Sequence, residues 1–263
     1  GAPSVTRLAA LLSDVDGVFR TVPKAHLHRC VVESLLPGVP QAEALDANWV
    51  WMLSGSDAFV NETPDFLEFA AHAAQASAHV RAELLARASD PAFLQAYLAS
   101  FRKTGPDFEL EGAIRRFHAL RHGPNGQTAM EPIPGALDGL QRILDSGIPF
   151  AFVSNSPRDS IQTWFSAHGF ADLVILGEED VDRQKPDPQG IQKACLQLGV
   201  LPSKNVGYAG DLPNDMAAAR AAGVTALGIA YGDRRARLEN SKPDFLFSGF
   251  QACAHWVLDD QGD

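Results

Sequence analysis

The chain has 263 residues, 46% of them hydrophobic and 21% charged, enough for one large or two ordinary domains with a buried core. Lysine and arginine number 22 against 32 aspartates and glutamates, a net charge of −10 with histidine neutral. That balance speaks against a general binder of nucleic acid or anionic membrane, which needs a positive footprint. Cys30, Cys195 and Cys253 are odd in number, far apart and in no CxxC pair, so neither a disulfide framework nor a zinc ribbon is indicated. Three reduced thiols in a cytoplasmic protein are the expectation. No apolar run approaches the roughly 20 residues that cross a bilayer, so no membrane partner is expected.

In chain order, an apolar run at 8–12 predicts a short strand, too short and too poorly flanked for a signal peptide. It leads straight into Asp14-Val15-Asp16-Gly17. Residues 24–131 read as almost wholly helical. Asp90-Pro91 is a helix start, an N-cap followed by proline at the first helical position. Phe93, Leu94, Tyr97, Leu98 and Phe101 recur behind it at helical spacing, and Ile114, Phe117 and Leu120 continue such a stripe. Core packing is the expected role of these side chains.

Proline-rich joints bracket the helical stretch, Thr21-Val22-Pro23 before it and Glu131-Pro132-Ile133-Pro134-Gly135 after it. Beyond the second joint the pattern alternates. Helices are predicted over 136–145, 158–168, 189–198 and 214–222, and strands over 149–153, 173–176, 205–209 and 224–229, with a last short strand at 245–247. Strands this apolar, separated by helices, predict a parallel sheet covered on both faces, and the opening strand needs that same sheet for partners. The expected fold is α/β: a Rossmann-like, doubly wound parallel core from residues 1–22 and 132–263, split by an all-α insertion at 23–131.

In open α/β sheets, ligands bind beyond the carboxyl ends of the strands. Those positions carry Asp14 and Asp16 after the first strand, Ser154 and Asn155 after the second, and Gly210, Asp211, Asn214 and Asp215 after the fourth. Lys185-Pro186-Asp187-Pro188 precedes a crossover helix. Clustered carboxylates repel one another unless a cation sits among them, and an all-oxygen set suits Mg²⁺. A lysine beside them stays charged, and Mg²⁺ with Lys can offset phosphoryl oxygens. One carboxylate can serve as nucleophile while another acts as general acid and then base. Gly17 lets the backbone bend away directly after the pair.

These four segments, in this order, resemble the ordered motifs of the haloacid dehalogenase-like hydrolase superfamily. The insertion after the first motif resembles the helical cap of its phosphoglycolate phosphatase and beta-phosphoglucomutase branch. The run from Gly210 to Gly223 is similar to phosphoglycolate phosphatase-type enzymes. The resemblance implies Asp14 as nucleophile, forming an aspartyl-phosphate, and Asp16 as the acid that protonates the leaving alcohol and then activates water. It implies Ser154 and the amide of Asn155 on phosphate oxygens, with Lys185 screening charge. It also implies Mg²⁺ held by Asp14, the backbone carbonyl of Asp16 and Asp211, with Asp215 assisting.

Two departures stand out. Val18 replaces the threonine that usually follows Asp-x-Asp-Gly, removing a hydroxyl that could orient Asp16, and Thr21-Val22-Pro23 replaces the usual pair of an acidic residue and a serine or threonine at the joint. His26-Leu27-His28 also resembles an amidohydrolase metal motif, but the other histidines show no matching arrangement. His26 is instead expected to begin the first cap helix and face the substrate. Arg102-Lys103 and Arg115-Arg116 are expected to be surface charge.

The function expected is hydrolysis of a small phosphomonoester, phosphoglycolate- or sugar-phosphate-like, by a Mg²⁺-dependent phosphatase that is a monomer or homodimer. A phosphomutase on the same scaffold and a non-catalytic phospho-ligand module are the alternatives.

Overall fold

The structure is a computed structural model that describes residues 6–23, 26, 30, 33–34, 68–69, 72–73, 76–87, 90–102, 110–123, 130–232 and 235–258. The chain divides into two compact units, Gly1–Thr21 with Met130–Asp263, and Val22–Ala129.

The first unit opens with β1 (Ala10–Ser13), all four residues buried. A small antiparallel ribbon follows, β2 (Arg20–Thr21) against β3 (Glu131–Pro132). Then come β4 (Phe150–Val153), β5 (Ile175–Leu176), β6 (Val206–Gly210), β7 (Thr225–Ile229) and β8 (Phe245–Phe247). With β1 they form a six-stranded sheet in the order β5-β4-β1-β6-β7-β8, and every described pairing in it is parallel. The opening strand sits in the middle, with Leu12 level with Ala151 on one side and Tyr208 on the other. From β1 the chain moves outward through β4 and β5, crosses back to β6 and moves outward again. That reversal places a topological switch point at the carboxyl ends of β4, β1 and β6.

In the second unit the described elements include α1 (Ala78–Arg87), α2 (Pro91–Arg102) and α3 (Leu110–His122). Asp90 caps α2 as its sequence suggests, its Oδ1 accepting the Ala92 amide at 3.0 Å. Leu98 and Phe117 are fully buried, and the Tyr97 ring meets Phe69 edge-on at 5.2 Å. Arg115 is exposed, whereas Arg116 is half-buried and donates from Nη2 to the Ser34 carbonyl at 3.1 Å. His28 and Lys103 lie outside the described residues.

Around the sheet lie α4 (Ala136–Asp145), α5 (Arg158–Ala167), α6 (Gln189–Leu198), α7 (Pro213–Ala222), α8 (Arg235–Asn240) and α9 (Phe250–Val257). Strand side chains alternate between faces. Ala10, Leu12, Ala151, Val153 and Tyr208 pack with Ile191, Ala194 and Cys195 of α6 and with Met216, Ala218 and Ala219 of α7. The other face is aromatic. Phe152 stacks on Phe165 at 4.6 Å, and Phe19 lies 4.4 Å from Phe250, whose helix α9 packs against α4. Each such ring contributes about 1.5–3 kcal/mol on burial. The helices α8 and α9 and the two-residue strands β2 and β3 were not anticipated from sequence, being too short for a clear period. Among the described residues no helix is long and apolar enough to cross a membrane.

Candidate active site

At the end of β1, Gly17 adopts φ 79°, a left-handed conformation that a side chain disfavours, and its amide donates to the Arg20 carbonyl at 2.9 Å. The chain therefore turns sharply after Asp16, and Val15 and Val18 are pinned into the core. At the end of β6 a second turn is set by Asp215, in the first turn of α7. Its Oδ2 accepts the backbone amides of Asp211 at 3.1 Å and Leu212 at 3.0 Å. Proline at the first position of α7 and an acidic residue at the third are a helix start that also fixes the strand-to-helix loop.

Gly210 is glycine because a β-carbon there would overlap the Asp215 side chain. Gly210→Ala is expected to destabilise the protein by about 1–3 kcal/mol through overpacking. It should also displace Asp215, so denaturant unfolding and activity should both report the change.

Between these turns sits a buried charge cluster. Carboxylate oxygens of Asp14, Asp211 and Asp215 lie within 4.8 Å of one another, and all three residues are buried. Lys185, its side chain 3% exposed, enters the cluster from the loop before α6. Its Nζ lies 2.6 Å from Asp215 Oδ1 and 3.2 Å from Asp14 Oδ2. It also donates to the Tyr208 hydroxyl at 2.7 Å, and that hydroxyl donates in turn to the Val153 carbonyl at 2.8 Å. The Asn155 side chain braces the lysine's main chain, accepting the Lys185 amide at 3.3 Å and donating to its carbonyl at 3.5 Å.

Burial alone would depress the Lys185 ammonium, but Asp14 and Asp215 overcome it and hold it above its ordinary range. Asp14 is raised as well, which for a carboxylate disfavours the charged form. Burial raises it most, Lys185 opposes, and repulsion from Asp215, Asp211 and Asp16 adds to the rise. The Tyr208 phenol is raised by its burial and by the same carboxylates, so it remains a neutral hydrogen-bonding group.

Of the residues singled out from sequence, Asp14, Lys185, Asp211 and Asp215 come together in this cluster, and Asn155 touches its lysine. Ser154 is buried at the end of β4, its Oγ accepting the Ser156 amide at 3.1 Å. The Asp16 carboxylate points elsewhere. Its Oδ1 accepts from Arg20 Nε at 2.8 Å and its Oδ2 from Ser156 Oγ at 2.7 Å. His26 belongs to the second unit, where its Nε2 lies 3.4 Å from Cys30 Sγ.

Sequence reasoning overlooked Tyr208, Arg20 and Ser156. Tyr208 was hidden inside an apolar strand run. Arg20 carried a faint signal, a cation four residues beyond Asp16.

A doubly wound parallel sheet with three buried carboxylates and a buried lysine at its switch point defines an α/β protein with an acidic centre. The chain belongs to the haloacid dehalogenase-like hydrolase family, whose model matches residues 60–229, more than half of its length. Ser154, Lys185, Asp211 and Asp215 lie inside the matched stretch, and Asp14 and Asp16 precede it. A phosphoglycolate phosphatase from Pasteurella multocida (strain Pm70) is 30% identical over 151 residues, which cover 56% of this chain and 66% of that protein. A validoxylamine A 7′-phosphate phosphatase from Streptomyces hygroscopicus subsp. limoneus is 31% identical over 135 residues, 51% of this chain and 61% of that protein. The match thus spans less than two thirds of the length of these curated relatives. The same fold occurs in the crystal structure of a predicted phosphoglycolate phosphatase from Haemophilus somnus 129PT. The TM-score is 0.65 at 21% identity, covering 95% of this chain and 97% of that one.

Proposed function

We propose that the protein is a Mg²⁺-dependent phosphatase that hydrolyses a small phosphomonoester, phosphoglycolate- or sugar-phosphate-like, through an aspartyl-phosphate on Asp14. The observation that carries this reading is the juxtaposition of Asp14 with Lys185 beside Asp211 and Asp215 at the switch point. Family membership and the phosphatases among the relatives support it.

The donor set fits a hard divalent cation: three buried carboxylates with oxygens within 4.8 Å of one another. Asp14 and Asp211, with the Asp16 carbonyl, are the residues that would hold Mg²⁺. Both oxygens of Asp215 are already engaged by Lys185 and two backbone amides, so Asp215 acts by anchoring the lysine and the loop. When bound, Mg²⁺ supplies positive charge against the phosphoryl oxygens and relieves the repulsion among the carboxylates.

The chain's own groups divide the remaining work. Asp14 attacks phosphorus while Asp16 gives its proton to the departing alkoxide oxygen. Asp16 then takes a proton from the water that attacks the aspartyl-phosphate, which frees Asp14 and releases phosphate. Lys185, Ser154 and the Asn155 amide hold phosphate oxygens or screen their charge, and Gly17 keeps the turn open around them. The helical unit, His26 included, is assigned the choice of ester. A small phosphorylated metabolite in the cytoplasm is the partner this reading requires.

Phosphate release from a panel of glycolate, sugar, nucleotide and amino-acid phosphates, with and without Mg²⁺, tests the proposal. Mg²⁺-dependent release from one class is expected. Isomerisation of a sugar phosphate without phosphate release would move the reading to a mutase, and binding without turnover across the panel would overturn it.

A further inference from the structure

Arg20 is among the largest fully buried side chains, at 0% exposure. A guanidinium is costly to bury unless each face of it is answered. Here the answers all converge on one carboxylate and one helix start. Nε donates to Asp16 Oδ1 at 2.8 Å, and Nη2 reaches Asp16 Oδ2 at 3.5 Å and Ser160 Oγ at 3.3 Å. Nη1 donates to the Ser160 carbonyl at 3.2 Å, and the Trp164 ring centre lies 5.9 Å from the guanidinium carbon. The backbone is equally constrained, because Arg20 lies in β2 opposite Pro132 and its carbonyl accepts the Gly17 amide. On the other side of Asp16, Ser156 Oγ donates to Oδ2 at 2.7 Å. Val18, buried in the same turn, has no hydrogen-bonding group on its side chain.

Asp16 is thus gripped on both oxygens by groups that cannot move without disturbing α5, while its side chain keeps 21% exposure. Oδ1 accepts one of these bonds and Oδ2 two, from donors on opposite sides of the carboxylate. The exposed edge is therefore presented in one orientation.

We propose that Arg20, assisted by Ser156, is the positioning residue for Asp16, an assignment that rests on the phosphatase reading above. As the bond from Asp14 to phosphorus forms and the bond from phosphorus to the alkoxide breaks, the proton on Asp16 passes to the alkoxide oxygen. That transfer requires Asp16 to be held at hydrogen-bond distance from the leaving oxygen. Arg20 touches neither substrate nor phosphate. Its effect falls on the two steps in which Asp16 moves a proton, and kcat/KM isolates the first of them, delivery to the leaving oxygen.

The test exploits leaving groups. An alkyl phosphate such as phosphoglycolate needs a proton on its departing oxygen, whereas p-nitrophenyl phosphate releases a stable phenolate without one. Arg20→Met keeps the length and apolar packing of the side chain and removes the cation. It is expected to lower kcat/KM for the best alkyl ester of the panel by about 10- to 100-fold, the scale of a misplaced catalytic group. The decrease should appear in kcat rather than KM, and kcat/KM for p-nitrophenyl phosphate should change less than about 3-fold, since that ester draws little on general acid catalysis.

Arg20→Lys, which restores a cation, should recover part of the loss. Ser156→Ala should move the ratio of the two esters in the same direction by a smaller factor, and it decides the matter if Arg20→Met fails to fold. Equal losses in kcat/KM on both esters, in Arg20→Met or Ser156→Ala with native circular dichroism, would overturn the assignment and leave Arg20 a structural residue. A wild-type protein inactive toward both esters would instead overturn the phosphatase reading beneath it.

Discussion

Asp14→Asn is expected to abolish phosphate release, with a loss of about 10⁴-fold or more, because an amide oxygen cannot form the aspartyl-phosphate and no other carboxylate takes its place. Asp215 is locked between Lys185 and two backbone amides, and the Asp16 carboxylate is turned toward Arg20 and Ser156. Full Mg²⁺-dependent release by the variant would rule out Asp14 as the nucleophile.

The same substitution has an opposite effect on stability. Asp14 in the folded protein is raised above the ordinary carboxylate value of 3.8, chiefly by burial and against the attraction of Lys185. A group with a raised folded value contributes its stability fully below the unfolded value and loses it as pH rises through the folded one. In chelator, therefore, the wild type should lose stability relative to Asp14→Asn as pH rises from about 4 toward neutrality. Added Mg²⁺ should narrow that gap, since it binds the ionised wild type better than the amide variant. Melting temperatures of the two proteins across pH, with and without the metal, provide the measurement.

Lys185→Met carries the second large effect. The ammonium is the cation that Asp14 and Asp215 both reach, at 3.2 and 2.6 Å. Removing it leaves buried carboxylates without their counter-charge. Breaking a buried pair in this way costs about 3–5 kcal/mol, far more than the loss of a surface ion pair. Urea unfolding in chelator should show that loss at neutral pH. Because Lys185 lowers Asp14, its removal raises that carboxyl further, so the deficit should shrink on acidification as the carboxyl takes up its proton. Mg²⁺ should restore part of the stability without restoring turnover, because the metal can take up carboxylate charge but cannot replace an ammonium placed between Asp14 and Asp215. A Lys185→Met protein as stable as wild type in chelator would show that the cluster is not held together by this charge.

Much of the core was legible because its signals are local. The helices over Ala136–Asp145 and Gln189–Leu198 fall where the sequence places them, and Arg158–Ala167 ends one residue sooner than expected. Gly199 and Gly223 close helices in the left-handed conformation, at φ 70° and 74°. Strand β1 runs over Ala10–Ser13 rather than 8–12, beginning two residues and ending one residue later, which leaves Leu8 buried just before the ladder. Helix α9 escaped notice, although its Phe250 supports the aromatic face of the core.

The amino-acid sequence alone determined most segments of the core that become strands and helices, short elements such as β2, β3, α8 and α9 excepted, and that the acidic pairs and the lysine fall at strand and loop ends. Periodicity, proline and glycine act over a few residues and need no knowledge of the neighbours. Only the tertiary structure decided who partners whom. Lys185 reaches Tyr208 and Asp215 across 23 and 30 positions, and Ser156 reaches Asp16 across 140. Those distances are closed by strand order and by the register of β1 against β4 and β6, which no local pattern encodes. The carboxylates behind the net charge of −10 thus show their positions at strand ends along the chain but not their partners. In the fold, three of the 32 gather around one lysine and a fourth, Asp16, is held by an arginine.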